Sequence, residues 1–125
     1  MNNSRVLICD DDPGILDMLE LVLSEEGYQV IPETNSLRVA GLIKDKQPEI
    51  VLLDLWMPVL SGDQVLRNLR QNESTANLPV IVFSASTDGR MIAMEAGAND
   101  FVSKPFDLDL LINKIHFNLT NKGMS

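Results

Sequence analysis

The sequence predicts an α/β fold, a doubly wound parallel sheet of five strands with helices on both faces. Three observations predict it. Five short runs, most of them rich in Val, Ile and Leu, recur along the chain, and a stretch with helical periodicity follows each one. Most of these runs are apolar throughout rather than alternating, which suits strands covered on both sides. Two of them end in carboxylates: Val6-Leu7-Ile8-Cys9 in Asp10-Asp11-Asp12, and Ile50-Val51-Leu52-Leu53 in Asp54. Strand ends of a parallel sheet meet along one edge, where functional sites gather, so these acids can share one pocket.

The first run, residues 6–9, is followed at once by helix punctuation. Asp12 can cap, Pro13 suits the first helical position, and Ile15, Leu16, Leu19, Val22 and Leu23 recur at helical spacing until Gly27 stops the helix. Residues 28–31 predict the second strand and 36–45 the second helix; 50–53 predict the third strand and 62–70 the third helix. A polar stretch, 72–77, leads to Pro79, after which Val80-Ile81-Val82-Phe83 predicts a fourth strand ending at Ser84. A weaker helical pattern lies between Asp88 and Ala96. Gly97-Ala98-Asn99 is a turn into the short strand Asp100-Phe101-Val102, and Lys104-Pro105 opens onto a last helix with Leu108, Leu111, Ile112, Ile115 and Leu119 on one face. Right-handed crossovers leave few ways to connect five such units.

At 125 residues and 45% apolar composition, the chain suits one domain with a substantial core. That domain is expected over residues 4–121, with Met1 to Asn3 and Lys122 to Ser125 as loose ends; no repeat, low-complexity segment or interior linker divides it. Eighteen acidic against ten basic side chains give a net charge of −8, which repels nucleic acid and anionic membrane. The stretch Met1-Asn2-Asn3-Ser4-Arg5 is polar and no run is long enough to span a bilayer, so the expectation is a soluble cytoplasmic protein without an apolar leader. The lone cysteine, Cys9, lies inside the first apolar run and reads as a small buried hydrophobe.

Asp10, Asp11 and Asp54 in one partly desolvated pocket would repel one another and raise a carboxyl pKa unless a cation intervenes. Mg²⁺ prefers hard oxygen ligands and takes one or two carboxylates plus a phosphate oxygen, so an acidic pocket of this size suits it. Aspartates after strands also cap helices and solvate loops, and Asp12, directly before Pro13, reads as a cap. Beside a metal, Asp54 can act as a nucleophile on phosphorus and form an acyl phosphate.

Five motifs in order then carry a resemblance: Asp10-Asp11, Asp54 in Asp-Leu-Trp-Met-Pro, Ser84-Ala85, Gly97-Ala98-Asn99-Asp100-Phe101, and Lys104-Pro105-Phe106. Together they resemble the receiver domain of two-component response regulators, over about residues 6–119. The resemblance implies a (βα)5, flavodoxin-like sheet with strand order 2-1-3-4-5. It implies Asp54 as phosphoryl acceptor, Mg²⁺ held by Asp11 directly, by Asp10 mainly through water, by Asp54 and by the Trp56 backbone carbonyl, and a cis Lys104-Pro105 bond. Ser84 and Lys104 match the hydroxyl and ammonium groups that bind phosphoryl oxygens. Ser84 and Phe101 match the pair that moves on signalling, which would present the fourth helix, fifth strand and fifth helix to a partner. The implied donor is a sensor histidine kinase or a histidine phosphotransfer protein. The implied recipients are a downstream protein or an output domain beyond the chain end, and a homodimer on activation. The only catalysis implied is that of its own aspartyl phosphorylation and dephosphorylation, and the resemblance implies that Trp56 and Ser86 tune the second of these, the hydrolysis.

Two departures stand out. The stretch from Ser84 to Lys104 is shorter than usual and has Gly89 where a helix should begin, so the fourth helix is expected to be short or irregular. Ser61-Gly62 replaces the commoner Asp-Gly. Met91 and Met94 near that helix are core filler or an adaptable contact surface, and His116, the only histidine, reads as a surface residue. A phosphatase that forms an aspartyl phosphate would need a second aspartate where Trp56 stands. A nucleotide or flavin carrier would need a phosphate loop where Asp10-Asp11-Asp12 would repel one. A receiver fold that signals by binding alone, without phosphorylation, stays open.

Overall fold

The computed structural model describes residues 4–120. It contains strands β1 (Arg5–Cys9), β2 (Gln29–Glu33), β3 (Ile50–Asp54), β4 (Val80–Ser84) and β5 (Asp100–Ser103). The helices are α1 (Pro13–Glu25), α2 (Val39–Lys46), α3 (Gly62–Gln71), α4 (Gly89–Ala96) and α5 (Leu108–Thr120). The strands form one parallel sheet in the order β2-β1-β3-β4-β5, the flavodoxin-like order. The expected loose ends, and residue 121 of the expected domain, lie outside the described residues.

Alternation along the strands divides the core between the two faces. Leu7, Cys9, Val51, Leu53, Val80 and Val82 pack with Val39, Ile43, Val65, Leu66, Leu69, Ala93 and Ala96, so α2, α3 and α4 cover one face. Val6, Ile8, Ile50, Leu52, Ile81 and Phe83 pack with Leu16, Leu19, Leu23, Leu111 and Ile115, so α1 and α5 cover the other. Each such aliphatic side chain contributes ~1.5–3 kcal/mol at most when taken fully out of water. β1, β3 and β4 are interior strands and their apolar side chains are fully buried, which is why those three runs were the plainest in the sequence.

Several boundaries differ from the sequence reading, each for a local reason. Tyr28 lies just before β2 as a buried residue, and the strand runs on through Pro32 to Glu33. A proline is tolerated there because β2 is at the sheet edge. The second helix begins as a 3₁₀ turn, Ser36–Arg38, whose Asn35 side chain accepts the Leu37 N–H. α4 is short but regular, and Gly97 at φ 105 ends it with a left-handed turn. Met91 and Met94 are exposed on it, so they are not core filler. His116 is exposed and Cys9 is buried, its thiol pushed up to about 12 by burial and by the surrounding acids. None of the helices among the described residues is long and apolar enough to cross a membrane.

Arg70, at the end of α3, ties the turns at the opposite end of the sheet together. Its guanidinium donates to the carbonyls of Leu78 (2.8 Å) and Gly97 (2.9 Å) and to Asn99 Oδ1 (2.9 Å). The same Asn99 oxygen accepts the Val80 N–H at 2.8 Å, so one arginine links α3, the start of β4 and the turn before β5.

Candidate functional site

The strand order makes β1 and β3 neighbours in register, Cys9 beside Leu53, so the residues that follow them emerge side by side. Asp10, Asp11 and Asp54 each offer a carboxylate oxygen within 4.8 Å of the others. Asp10 and Asp54 are buried, while Asp11 stands at the exposed rim. Each acid of the triplet has its own surroundings. Asp10 Oδ1 accepts the Asp12 N–H at 2.8 Å, which folds the loop back, and Asp12 Oδ1 caps α1 by accepting the Gly14 N–H at 2.9 Å.

Lys104 arrives from the far side of the sheet, on the loop after β5. Its Nζ lies 3.1 Å from Asp10 Oδ2 and 3.3 Å from Asp54 Oδ1. The Lys104–Pro105 bond is cis, as the resemblance implied. Burial pushes the Asp54 carboxyl up to about 6, with the Asp10 charge adding to it and Lys104 only partly offsetting both. Asp10 is also raised, by burial first, against the bonds from the Asp12 amide and Lys104. Burial would pull Lys104 down, but the two acids together hold it above its ordinary value. One ammonium therefore serves two buried acids, with a third at the rim, and the pocket remains short of positive charge. A hard divalent cation fits that deficit and this all-oxygen donor set.

Gly62 makes this packing possible. A Cβ there would lie 2.2 Å from the Asp54 carbonyl oxygen, and its N–H donates to the Leu55 carbonyl at 2.8 Å. The intervening loop turns tightly at Val59, which holds φ 71 with its side chain in solvent. Left-handed backbone is unfavourable for a β-branched residue, so the loop stores strain next to the pocket.

Ser84, the last residue of β4, is buried, and its hydroxyl is engaged by Ser86: the hydroxyl oxygens lie 2.9 Å apart, and the Ser86 N–H donates to Ser84 Oγ at 3.1 Å. Trp56, half-exposed in the loop after β3, donates its indole N–H to Ser86 Oγ at 3.1 Å. Phe101 is buried on β5, with the Arg90 guanidinium over its ring at 5.5 Å. Asp10, Asp11, Asp54 and Lys104 are thus brought together, Ser84 and Trp56 are joined through Ser86, and Phe101 belongs to the core on the face covered by α2, α3 and α4.

Sequence reasoning missed the part played by Gly89. A Cβ on it would lie 3.0 Å from Ser84 Cβ, 3.0 Å from Ser86 Oγ and 3.1 Å from Phe101 Cζ. The glycine that looked like a weak helix start is the close-packing point between α4 and both residues expected to move. A cavity of about 910 Å³ between α2 and α3 contains none of these groups, so it is separate from the acidic site.

The profile of the response regulator receiver domain matches residues 6–116. The transcriptional regulatory protein KdpE of Mycobacterium tuberculosis is 39% identical over 112 residues, covering 88% of this chain and 48% of KdpE. The chain spans about half the length of the curated relatives it matches. Among solved structures, the receiver domain of the Francisella response regulator 1452 superposes with a TM-score of 0.87 at 29% identity, covering 95% of this chain and 98% of that one. The receiver domain of sensor histidine kinase PA1611 from Pseudomonas aeruginosa PAO1 superposes with a TM-score of 0.86 at 25% identity, covering 94% and 98%. That structure has a magnesium ion coordinated in its active site cleft.

Proposed function

Because this chain belongs to the response regulator receiver domain family, we propose that Asp54 accepts a phosphoryl group in a Mg²⁺-dependent reaction and that the modified domain signals through a changed surface. The observation that carries this reading is the shared ammonium of Lys104 between buried Asp10 and Asp54, at 3.1 and 3.3 Å. An acid held this way is a poor structural element and a well-placed acceptor.

In this reading Asp54 attacks phosphorus, its carboxylate oxygen forming the new P–O bond while the donor's leaving group departs with its electron pair. Lys104 and Ser84 bind phosphoryl oxygens, the first by charge and the second by its proton. Asp10, Asp11, Asp54 and the main-chain carbonyl of Trp56 would hold the Mg²⁺, which when bound supplies further positive charge to the phosphoryl group. The acceptor must be ionised to attack, so neutralising the pocket also makes the nucleophile available. Positioning and charge provide the rate, and the chain acts on no substrate other than its own aspartate.

The donor is a sensor histidine kinase or a histidine phosphotransfer protein. Ser84 and Phe101 carry the change outward to α4, β5 and α5. That face already displays Met91 and Met94, and it would bind a downstream protein, an output domain or, on activation, a second copy. Residues 4–121 form the receiver unit, working in the cytoplasm.

Trp56, the sole tryptophan, tests the reading. Its fluorescence should change with Mg²⁺ and again with acetyl phosphate, and Asp54→Ala should abolish the second change. Intact-mass measurement should find a labile +80 Da adduct, one phosphoryl group by general chemistry, roughly one per chain. No adduct on the native chain with Mg²⁺ and either acetyl phosphate or its kinase would favour a receiver fold that signals by binding alone.

A further inference from the structure

The contacts between Trp56, Ser86 and Ser84 join two loops from different strands by side-chain hydrogen bonds, and their polarity is constrained. An indole N–H only donates, so Ser86 Oγ accepts from Trp56 at 3.1 Å. A main-chain N–H only donates, so Ser84 Oγ accepts from Ser86 at 3.1 Å. The one bond whose direction is free is the 2.9 Å contact between the two hydroxyls. Each hydroxyl has one proton and two acceptor positions.

From this arrangement we infer that Trp56 and Ser86 are positioning residues that aim the Ser84 hydroxyl proton into the phosphoryl site. The inference rests on the phosphoryl-acceptor reading above. While the pocket holds no phosphoryl oxygen, Ser84 can donate to Ser86. Once an anionic oxygen sits beside Asp54, Ser84 turns its proton to that oxygen, and Ser86 reverses to donate to Ser84. Ser86 can do so without leaving its own oxygen unpartnered, because the indole N–H already fills an acceptor position. Ser84 then has both acceptor positions filled by Ser86, through N–H and O–H, and its proton has only the pocket to serve. No proton changes owner; the P–O bond to the donor breaks, the bond to Asp54 Oδ forms, and acetate leaves when acetyl phosphate is the donor.

The relay differs from simple shielding by the indole. Shielding depends on ring bulk, so Trp56→Phe would leave it nearly intact, whereas the relay depends on the N–H that Phe lacks. It also depends on Ser86 having a hydroxyl, so Ser86→Ala should resemble Trp56→Phe, and the double variant should be no worse than either single one.

Two measurements test it. In the unmodified ¹⁵N-labelled chain, the single indole N–H cross-peak should move upfield in proton shift in Ser86→Ala, stay near its native position in Ser86→Thr, and move by a smaller step in Ser84→Ala. An indole resonance indifferent to Ser86→Ala overturns the relay without reference to phosphorylation. The initial rate of Asp54 phosphorylation by acetyl phosphate with Mg²⁺ should then fall roughly threefold to tenfold in Trp56→Phe and in Ser86→Ala, the range one net hydrogen bond provides. It should fall no further in the pair and recover in Ser86→Thr. Native-like rates in Trp56→Phe, or effects that multiply in the pair, overturn the relay alone. A native chain that takes no phosphoryl group overturns the acceptor reading, and the relay with it.

Discussion

Gly89 opens α4 directly against the Phe101 ring, where a Cβ would meet Phe101 Cζ at 3.1 Å. Because the same Cβ would also lie 3.0 Å from Ser84 Cβ, the helix start, the end of β4 and the aromatic on β5 form one packing unit. Together they leave no room for a side chain at position 89.

Alanine at position 89 would be a better helix former, but here crowding outweighs that gain, since all three neighbours are packed and one is the Cβ of a buried residue. Gly89→Ala should lower stability by about 1–2 kcal/mol in urea denaturation. It should also shift the Phe101 ring resonances toward greater exposure. Gly62→Ala should be far worse, because its Cβ would meet backbone, the Asp54 carbonyl oxygen, at 2.2 Å. A Gly89→Ala chain as stable as the native one, with unchanged Phe101 signals, would show that the joint is loose.

The acidic pocket should give an unusual pH dependence. Asp54 holds its proton up to about 6 in the folded chain, above its ordinary value of 3.8, chiefly through burial. Between those values the folded state binds more protons than the unfolded one, so stability falls as pH rises through the window. Without divalent cation, the contribution present at pH 4 should be lost by pH 7, on the order of 2 kcal/mol. Asp54→Asn should reduce this slope, leaving the part that the also-raised Asp10 contributes, and be the more stable protein at pH 7. Added Mg²⁺ should narrow the gap by stabilising the native chain. Thermal melts across pH 4–8 would check the sign, and an Asn variant less stable at pH 7 without cation would contradict it.

Lys104→Ala removes the ammonium shared by Asp10 and Asp54 and leaves two buried acids facing each other. The expected loss at pH 7 is about 2 kcal/mol, less than for a fully enclosed pair because Lys104 is partly exposed. Since the acids can protonate instead, the deficit should shrink at pH 5, and Mg²⁺ should also reduce it. A deficit indifferent to both would point to lost packing against the Phe83 ring, which Lys104 Nζ approaches at 5.3 Å.

At the opposite end of the sheet, Arg70→Met should cost about 2–3 kcal/mol in urea denaturation, because it orphans several carbonyls at once. Arg70→Lys should recover little of that, since one ammonium cannot reach the Leu78 and Gly97 carbonyls and Asn99 together as a planar fork does. Near-complete recovery by lysine would mean that charge, not geometry, holds the turns.

Much of this molecule was legible in one dimension. Strand and helix periodicity repeat every two or three to four residues, so the runs ending at Cys9, Asp54 and Ser84, and the capped start of α1, could be read from neighbours alone. The pairing of Asp10 and Asp11 with Asp54 followed from one further rule, that parallel strand ends share an edge. Tertiary structure decided what lies between loops that no local period connects. The Trp56–Ser86 bond spans 30 positions, the Lys104–Asp10 pair spans 94, and Gly89 serves as a joint only because Ser84 and Phe101 converge on it. Sequence patterning specifies which face of an element is buried; the atoms that meet across elements are set by close packing of the whole sheet and its helices.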